Sequence, residues 1–294
     1  LAVGFGGSGS AVIDFGRADY VVSKNASERS GMSKSFSSFN LISLCIGYAF
    51  LYIPILLLVI YSFNESRLVT VWSGFSTKWY GELWQNEELL DAAKVTIEVA
   101  LVASTLATIL GTIAGVVLTR FGNFTGRTLF NGMIYAPLVM PEVIVGLSLL
   151  LMFIAISWDR GYWTVTLAHT TFSLCYVAVV IQSRLSSFDR SIEEAAMDLG
   201  CPPLKTFFLI TLPVIMPAVV SAWLLSFTLS LDDLVISSFA TGPGATTLPM
   251  KIFSQMRLGV TPQINAISTI LIGLVATGVT VSSLIRRRQE MRKV

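Results

Sequence analysis

The stretch Ser191-Ile192-Glu193-Glu194-Ala195-Ala196-Met197-Asp198-Leu199-Gly200-Cys201-Pro202-Pro203 is a short helix with its own stop signal. Ser191 and Glu194 have the S-x-x-E spacing of a capping box, and Ser187 or Asp189 offers an earlier cap. Gly200 suits the left-handed residue that ends a helix, and Pro202-Pro203 forbid continuation. Ile192, Ala195, Ala196 and Leu199 fall at i, i+3, i+4 and i+7, which gathers an apolar face of mostly small residues. Glu193, Glu194 and Asp198 flank it. Such a face either inserts into a groove on a partner protein or rests on the base of its own chain, and spacing leaves both open.

Strongly apolar sequence lies on both sides of this polar segment. Tyr162–Ile181 precedes it, and Phe207–Phe239, with Pro213 and Pro217 near its start, follows. A helix needs about 20 apolar residues to cross the hydrocarbon core of a bilayer. Four more stretches qualify: Leu41–Tyr61, Val95–Leu118, Leu129–Ile156 (interrupted by Pro137 and Pro141) and Ile264–Ile285. Over the 294 residues, 53% are hydrophobic and 13% charged, with a mean hydropathy of +0.72. That charge is too sparse to cover a soluble domain, which excludes a soluble enzyme. A net charge of +2, with no basic run interleaved with aromatics, excludes a nucleic-acid binder. The cysteines Cys45, Cys175 and Cys201 lie far apart, with no metal-ligand spacing. The fold class is therefore an all-α membrane protein with six transmembrane helices.

Fourteen of the 20 lysines and arginines fall on one side of this topology: in the N-terminal tail, the second and fourth loops and the C-tail. The positive-inside rule makes that side cytoplasmic and places both termini there. The chain divides into a cytoplasmic tail (1–36), a first transmembrane helix with its outer loop (37–92), and a five-helix core (93–290) holding the cytoplasmic loop 185–205. Residues 1–31 differ in composition and read as a disordered or non-native leader ahead of Met32. Their Gly4, Gly6 and Gly9 satisfy G-x-G-x-x-G by coincidence, since no strand or βαβ unit surrounds them. In the last outer loop, Gly242–Gly244 make a turn and Met250–Leu258 a short helix at the membrane surface.

Glu194-Ala195-Ala196, Gly200, Ile210 and Leu212-Pro213 have the spacing E-A-A, three residues, G, nine residues, I, one residue, L-P. This pattern resembles the EAA signature of permease subunits of bacterial ATP-binding-cassette importers of type I, and the likeness extends from about Ser37 to the C-terminus. Within that family the chain is most similar to the polyamine branch, in particular the second permeases of putrescine importers. Tyr61–Asn64, Leu68–Trp72, Trp79-Tyr80, Ala136–Pro141, Leu229–Ile236 and Gly242–Met250 carry that finer likeness. The resemblance implies an inner-membrane, multi-pass subunit whose 191–203 helix couples to an ATP-hydrolysing subunit through Ile192, Glu194, Ala195, Ala196, Leu199 and Gly200. It also implies a homologous second permease, two ATP-binding subunits and a periplasmic polyamine-binding protein, with ATP and Mg bound by the partner ATPase and no cofactor by this chain. The sequence has no G-x-x-x-x-G-K-S/T loop of its own.

Charges inside a bilayer cost at least about 2.5–3.5 kcal/mol each, so each needs a reason. Glu98, Glu142, Asp232 and Asp233 lie in the spans with no comparably deep Lys or Arg, which favours a path for cations. Glu98, one turn from Lys94, suits an interfacial ion pair. Glu142 after Pro141 suits either a helix-dipole cap or a path-lining group. Asp232 and Asp233, ~28 Å along a helix from Pro213, either guide a cation near the outer mouth or form a wet helix terminus. Trp223, Phe227 and Tyr135 could pass an alkylammonium group by cation–π contact, though packing is the commoner role. His169 reads as a packed, helix-bonding histidine, and Gly111 and Gly115 as a close-packing GxxxG patch. A gradient-driven secondary transporter would also fit the intramembrane acids, but would not need the EAA helix. A membrane-embedded enzyme is disfavoured, because no clustered catalytic set appears.

Overall fold

The computed structural model describes residues 38–67, 71–258 and 261–291; the leader, its glycine spacing and the rest of the tail lie outside them. The elements are α1 (Ser38–Tyr61), α2 (Lys78–Leu83), α3 (Glu87–Arg120), α4 (Arg127–Val139), α5 (Glu142–Ala155) and α6 (Tyr162–Ser186). After them come α7 (Ser191–Asp198), α8 (Pro203–Thr206), a π-helical turn (Phe207–Thr211) and α9 (Leu212–Asp232). The outer and C-terminal elements are α10 (Val235–Ala240), α11 (Leu248–Leu258) and α12 (Pro262–Met291). Residues up to Leu57 form one unit and those from Leu58 onward another. Among the described residues, α1, α3, α6 and the run Pro203–Asp232 are long and apolar enough to cross a membrane.

Two predicted spans take a different course. Leu129–Ile156 is not one straight crossing: α4 and α5 meet at a bend of 118°. Met140 before Pro141 is extended, with ψ 140°, because proline sterically disfavours helical conformation in the residue preceding it. The fifth span ends at Asp232, not Phe239, with Asp233 extended (ψ 122°) before α10 begins. The sixth corresponds to α12, whose apolar run among the described residues is Pro262–Thr277.

Polarity sorts the helices. α1 is strongly apolar along its length and on every side, the pattern of a membrane span. α6 carries Thr164, Thr166, His169, Thr170 and Ser173, all buried. Thr166 and Thr170 return their hydroxyls to the carbonyls four residues back, at 2.8 and 2.7 Å, so they bury no unmet donor. α6 is thus the centre of the second unit, packed by α3 and α9 around Ala107, Val177, Ile181, Ile215 and Ala222.

Small residues set the α3–α6 distance, as the GxxxG spacing predicts. A Cβ at Gly111 would lie 2.7 Å from the Leu174 carbonyl, and one at Gly115 would lie 2.9 Å from Ile181 Cγ2. Without a hydrophobic drive between helices in lipid, such close approach supplies the packing energy. Gly111→Ala is therefore expected to lose about 1–3 kcal/mol through overpacking. Melting of the detergent-purified protein checks this, with Gly132→Ala, where a Cβ meets nothing within 4 Å, as the neutral control.

The segment between α1 and α3 is a built structure. Asn64 is buried; its Nδ2 donates to the Val71 carbonyl at 2.7 Å, and its Oδ1 accepts from the Ser73 N–H at 3.0 Å. Its carbonyl accepts from Trp79 Nε1 at 2.6 Å, while Ser62 Oγ and the Tyr80 hydroxyl pair at 2.7 Å. Trp79, Leu83, Leu89, Leu248 and Ile267 form one cluster beneath it. α11, the predicted surface helix, is tied to α3 by the Leu248 N–H donating to Thr96 Oγ1 at 2.7 Å and by the Lys251–Glu88 ion pair. Gly242 sits so close to the Arg160 carbonyl that an added Cβ would be 1.9 Å away.

Candidate coupling helix and translocation path

α7 is stopped at both ends by its own residues. At its start Asp189 Oδ1 accepts the Ser191 N–H at 3.0 Å, so the earlier cap is used and the Ser191/Glu194 box is not. That backbone bond holds the Asp189 carboxyl below its ordinary range. At its end Gly200 has φ +87°. The Gly200 N–H reaches the Met197 carbonyl at 2.9 Å, and Cys201 N–H reaches Ala196 at 3.0 Å. These two bonds make a complete Schellman motif.

The outward face is apolar. Ile192 is 48% exposed and Leu199 90%; Ala195 is exposed and Ala196 half-buried. Glu194 stands out among them and pairs with Arg190 at 3.2 Å, both side chains 57% exposed. The inward residue is the acidic Glu193, 7% exposed. Its Oε1 accepts from Thr211 Oγ1 at 2.6 Å and its Oε2 lies 2.8 Å from Arg120 Nε. The apolar face thus does not rest on the chain's own base. A cavity of about 440 Å³ opens beside α7, lined by Val117, Arg120, Glu193, Met197, Leu204 and Phe207 among others.

The proposed path residues lie on different seams. Tyr135 is on α4, its hydroxyl 3.2 Å from Gln182 Oε1 of α6. Trp223 and Phe227 stack at 5.3 Å and 8° on α9, and Trp223 Nε1 donates to Thr105 Oγ1 of α3 at 3.1 Å. Glu142 is exposed in the first turn of α5, where the helix dipole favours an acid. Asp232 is exposed at the end of α9. Lys94 and Glu98 form the expected pair, 3.9 Å apart and largely exposed.

Asp233 takes the place of a helix terminus, the second of its two readings. Its carboxylate accepts the Ile236 and Ser237 N–H groups at 3.2 and 2.7 Å, which caps α10. It also lies 3.1 Å from His169 Nε2. His169 is buried, with Nδ1 2.6 Å from Ser230 Oγ and Nε2 2.9 Å from Ser237 Oγ. Oδ1 thus serves the Ile236 N–H, and Oδ2 serves the Ser237 N–H and the imidazole. The histidine is the interhelical bond that the sequence suggests, now with its partners on α9 and α10.

Residues 107–293 match the family model described as "Binding-protein-dependent transport system inner membrane component". The chain belongs to this family. The chain is 57% identical over 264 residues to the putrescine transport system permease protein PotI of Escherichia coli K12, covering 88% of this chain and 94% of that one. The spermidine/putrescine transport system permease protein PotC of Haemophilus influenzae is 45% identical, with 82% and 93% covered. A bacterial ABC transporter involved in the import of the acidic polysaccharide alginate contains a chain of the same fold, with a TM-score of 0.67 at 14% identity. That match covers 85% of this chain and 98% of that one. The permease is thus a multi-pass inner-membrane transport subunit with the fold of type I ABC importer permeases, not an enzyme.

Sequence reasoning missed several residues of this permease that organise the site. Glu193 is one position from the motif glutamate and so points about 100° away around the helix. Its partners Arg120 and Thr211 are distant in sequence, and no local pattern announces them. Ser230 and Ser237, which flank His169, are ordinary small residues of apolar helices. Only the presence of a histidine inside a span signalled that partners would be needed.

Proposed function

We propose that this chain is the transmembrane permease subunit of an ATP-driven importer for polyamines, with putrescine as its foremost substrate and spermidine next. One observation carries this reading: a chain 57% identical to a putrescine permease over nearly its whole length turns the apolar face of α7 outward. The face formed by Ile192, Ala195 and Leu199, with Glu194 on its flank, docks into the ATP-hydrolysing subunit, and Gly200 fixes where the helix ends. ATP and Mg are bound by that subunit, and this chain binds no cofactor. A homologous second permease completes the path, two ATP-binding subunits lie beneath, and a periplasmic polyamine-binding protein delivers the substrate. Both termini are cytoplasmic. The stacked Trp223 and Phe227, with Tyr135, offer aromatic faces to an alkylammonium group. Glu142 and Asp232 are the exposed acids of the path, and Asp233 is not counted among them.

The test is uptake of labelled putrescine in cells lacking this chain, with and without its restoration, before and after an uncoupler with ATP maintained. Restored uptake that survives collapse of the proton gradient is expected. Uptake that disappears with the gradient would instead make the chain part of a secondary transporter. No restored uptake with all partners expressed would remove putrescine as the substrate.

A further inference from the structure

The base of the second unit holds a charged cluster that the docking face does not use. Glu193 is an acidic residue buried away from the docking face. Its two oxygens are divided between Arg120, the last residue of α3, and Thr211, the last residue of the π turn. Arg120 extends further: its Nη1 lies 3.4 Å from the Leu185 carbonyl near the end of α6. Its guanidinium also lies 5.8 Å from the ring centroid of Phe188. One carboxylate therefore joins α7 to the ends of α3 and α6 and to the start of α9.

Stability does not explain such a cluster. Desolvating an ion pair offsets most of its attraction, and apolar residues of like volume hold a fold as well. What the pair provides is a fixed link from α7 to named points on two other helices.

Those points differ in stiffness. α3 is a continuous 34-residue helix that ends in Arg120. α9 instead begins through a π turn, where the Leu212 N–H bonds five residues back to Phe207. Pro213 supplies the cause, because a proline in a regular helix would clash with the carbonyl four residues before it, that of Leu209. A π turn relieves that clash, and single π turns inside helices are frequent at functional sites. Higher up, α3 and α9 are joined again by the Trp223–Thr105 bond. Arg120 and Thr105 are 15 residues apart, ~22 Å along the helix. The same helix pair is thus gripped at its base by Glu193 and at mid-height beside an aromatic stack.

We propose that Glu193, Arg120 and Thr211 are positioning residues for coupling: they transmit movement of α7 to α3 and, through the π turn, to α9. The proposal rests on the reading that α7 docks on the ATPase. In it Glu194 and the apolar face receive the force, and Glu193 passes it on.

The test uses the assembled transporter in liposomes: this chain, its second permease, the ATPase subunits and loaded binding protein. Co-purification of the ATPase subunits and putrescine taken up per ATP hydrolysed are measured. Glu193→Gln is expected to keep the ATPase subunits bound and to lower uptake per ATP about tenfold, a coupling loss of ordinary size. Arg120→Gln leaves the carboxylate buried without its partner and should be at least as damaging. The double variant should be no worse than Glu193→Gln, because the two act as one unit. Thr211→Val, which keeps the ion pair, should lower the same ratio by a smaller factor and serves if the charge variants fail to assemble.

An unchanged ratio in Glu193→Gln and Thr211→Val overturns the proposal, as does uptake and hydrolysis falling in proportion. Loss of the ATPase subunits from Glu193→Gln also overturns it, because the residue would then belong to docking. Glu194→Lys separates the two readings. If that variant transports normally with its ATPase bound, the docking reading fails whatever Glu193 does.

Discussion

Glu194→Lys is expected to bring putrescine uptake to background while the permease inserts and folds as before. Glu194 is 57% exposed and its partner Arg190 is exposed to the same degree. A pair of that kind contributes about 0–1 kcal/mol, so the fold loses little. The ends of α7 are secured elsewhere, by Asp189 at the start and by the Gly200 Schellman bonds at the finish. The damage is confined to the outward face, where a reversed charge meets whatever the acid was placed to meet. Like-charge juxtaposition across an interface costs several kcal/mol, enough to release the ATPase subunits. Membrane-fraction blotting, co-purification and uptake on the same cells check the three statements. Normal uptake would mean that Glu194 has no part in coupling.

Asp233→Ala is expected to be the most destabilising change at the end of the second unit where α9 meets α10. It removes the two acceptor bonds that start α10 and leaves His169 Nε2 without its carboxylate. A lost cap costs about 0.5–2 kcal/mol, and His169 Nε2 keeps only the Ser237 hydroxyl as its partner. Together they should lower the melting temperature of the purified protein clearly and reduce uptake with it. Asp233→Asn is the informative companion. Asparagine is as good a cap residue as aspartate, and its single oxygen can keep the Ser237 N–H and the imidazole that share Oδ2, losing only the longer Ile236 bond. If Asp233 is structural, the Asn variant keeps most of its stability and transport. If the carboxylate attracts the cation, Asn loses uptake as fully as Ala while remaining stable.

These substitutions also mark how far the sequence could be read. The helix at 191–198, its apolar face and its glycine stop were legible because caps and periodicity act within one turn of chain, whereas the direction of that face was not. The break at Pro141 was legible as an interruption, since proline restricts its neighbour wherever it stands. The size of that break was not: 118° depends on how α5 packs on α6 and α10. There Gly146 admits the Phe239 ring, with Cδ2 only 2.6 Å from where a Cβ would be. Asp232 and Asp233 look alike in sequence, yet one is exposed and the other is bound into a helix start and a histidine. The difference comes from the chain turning after residue 232, which brings Ser237 and His169 to one carboxylate and not to its neighbour.

By itself, then, the sequence determined an all-α membrane chain, the approximate place of its helices, the capped segment at 191–198 and a small-residue patch on α3 that admits a close neighbour. All of these follow from apolar length, local hydrogen bonding or the absence of a side chain. Only the tertiary structure decided which acid faces inward, and that Arg120, Glu193 and Thr211 meet across 91 residues of sequence. It also decided that His169 closes a bond among α6, α9 and α10. Buried polar groups must find partners, but hydrogen bonds of this kind carry no spacing rule. Which partners they find is fixed only when the helices pack.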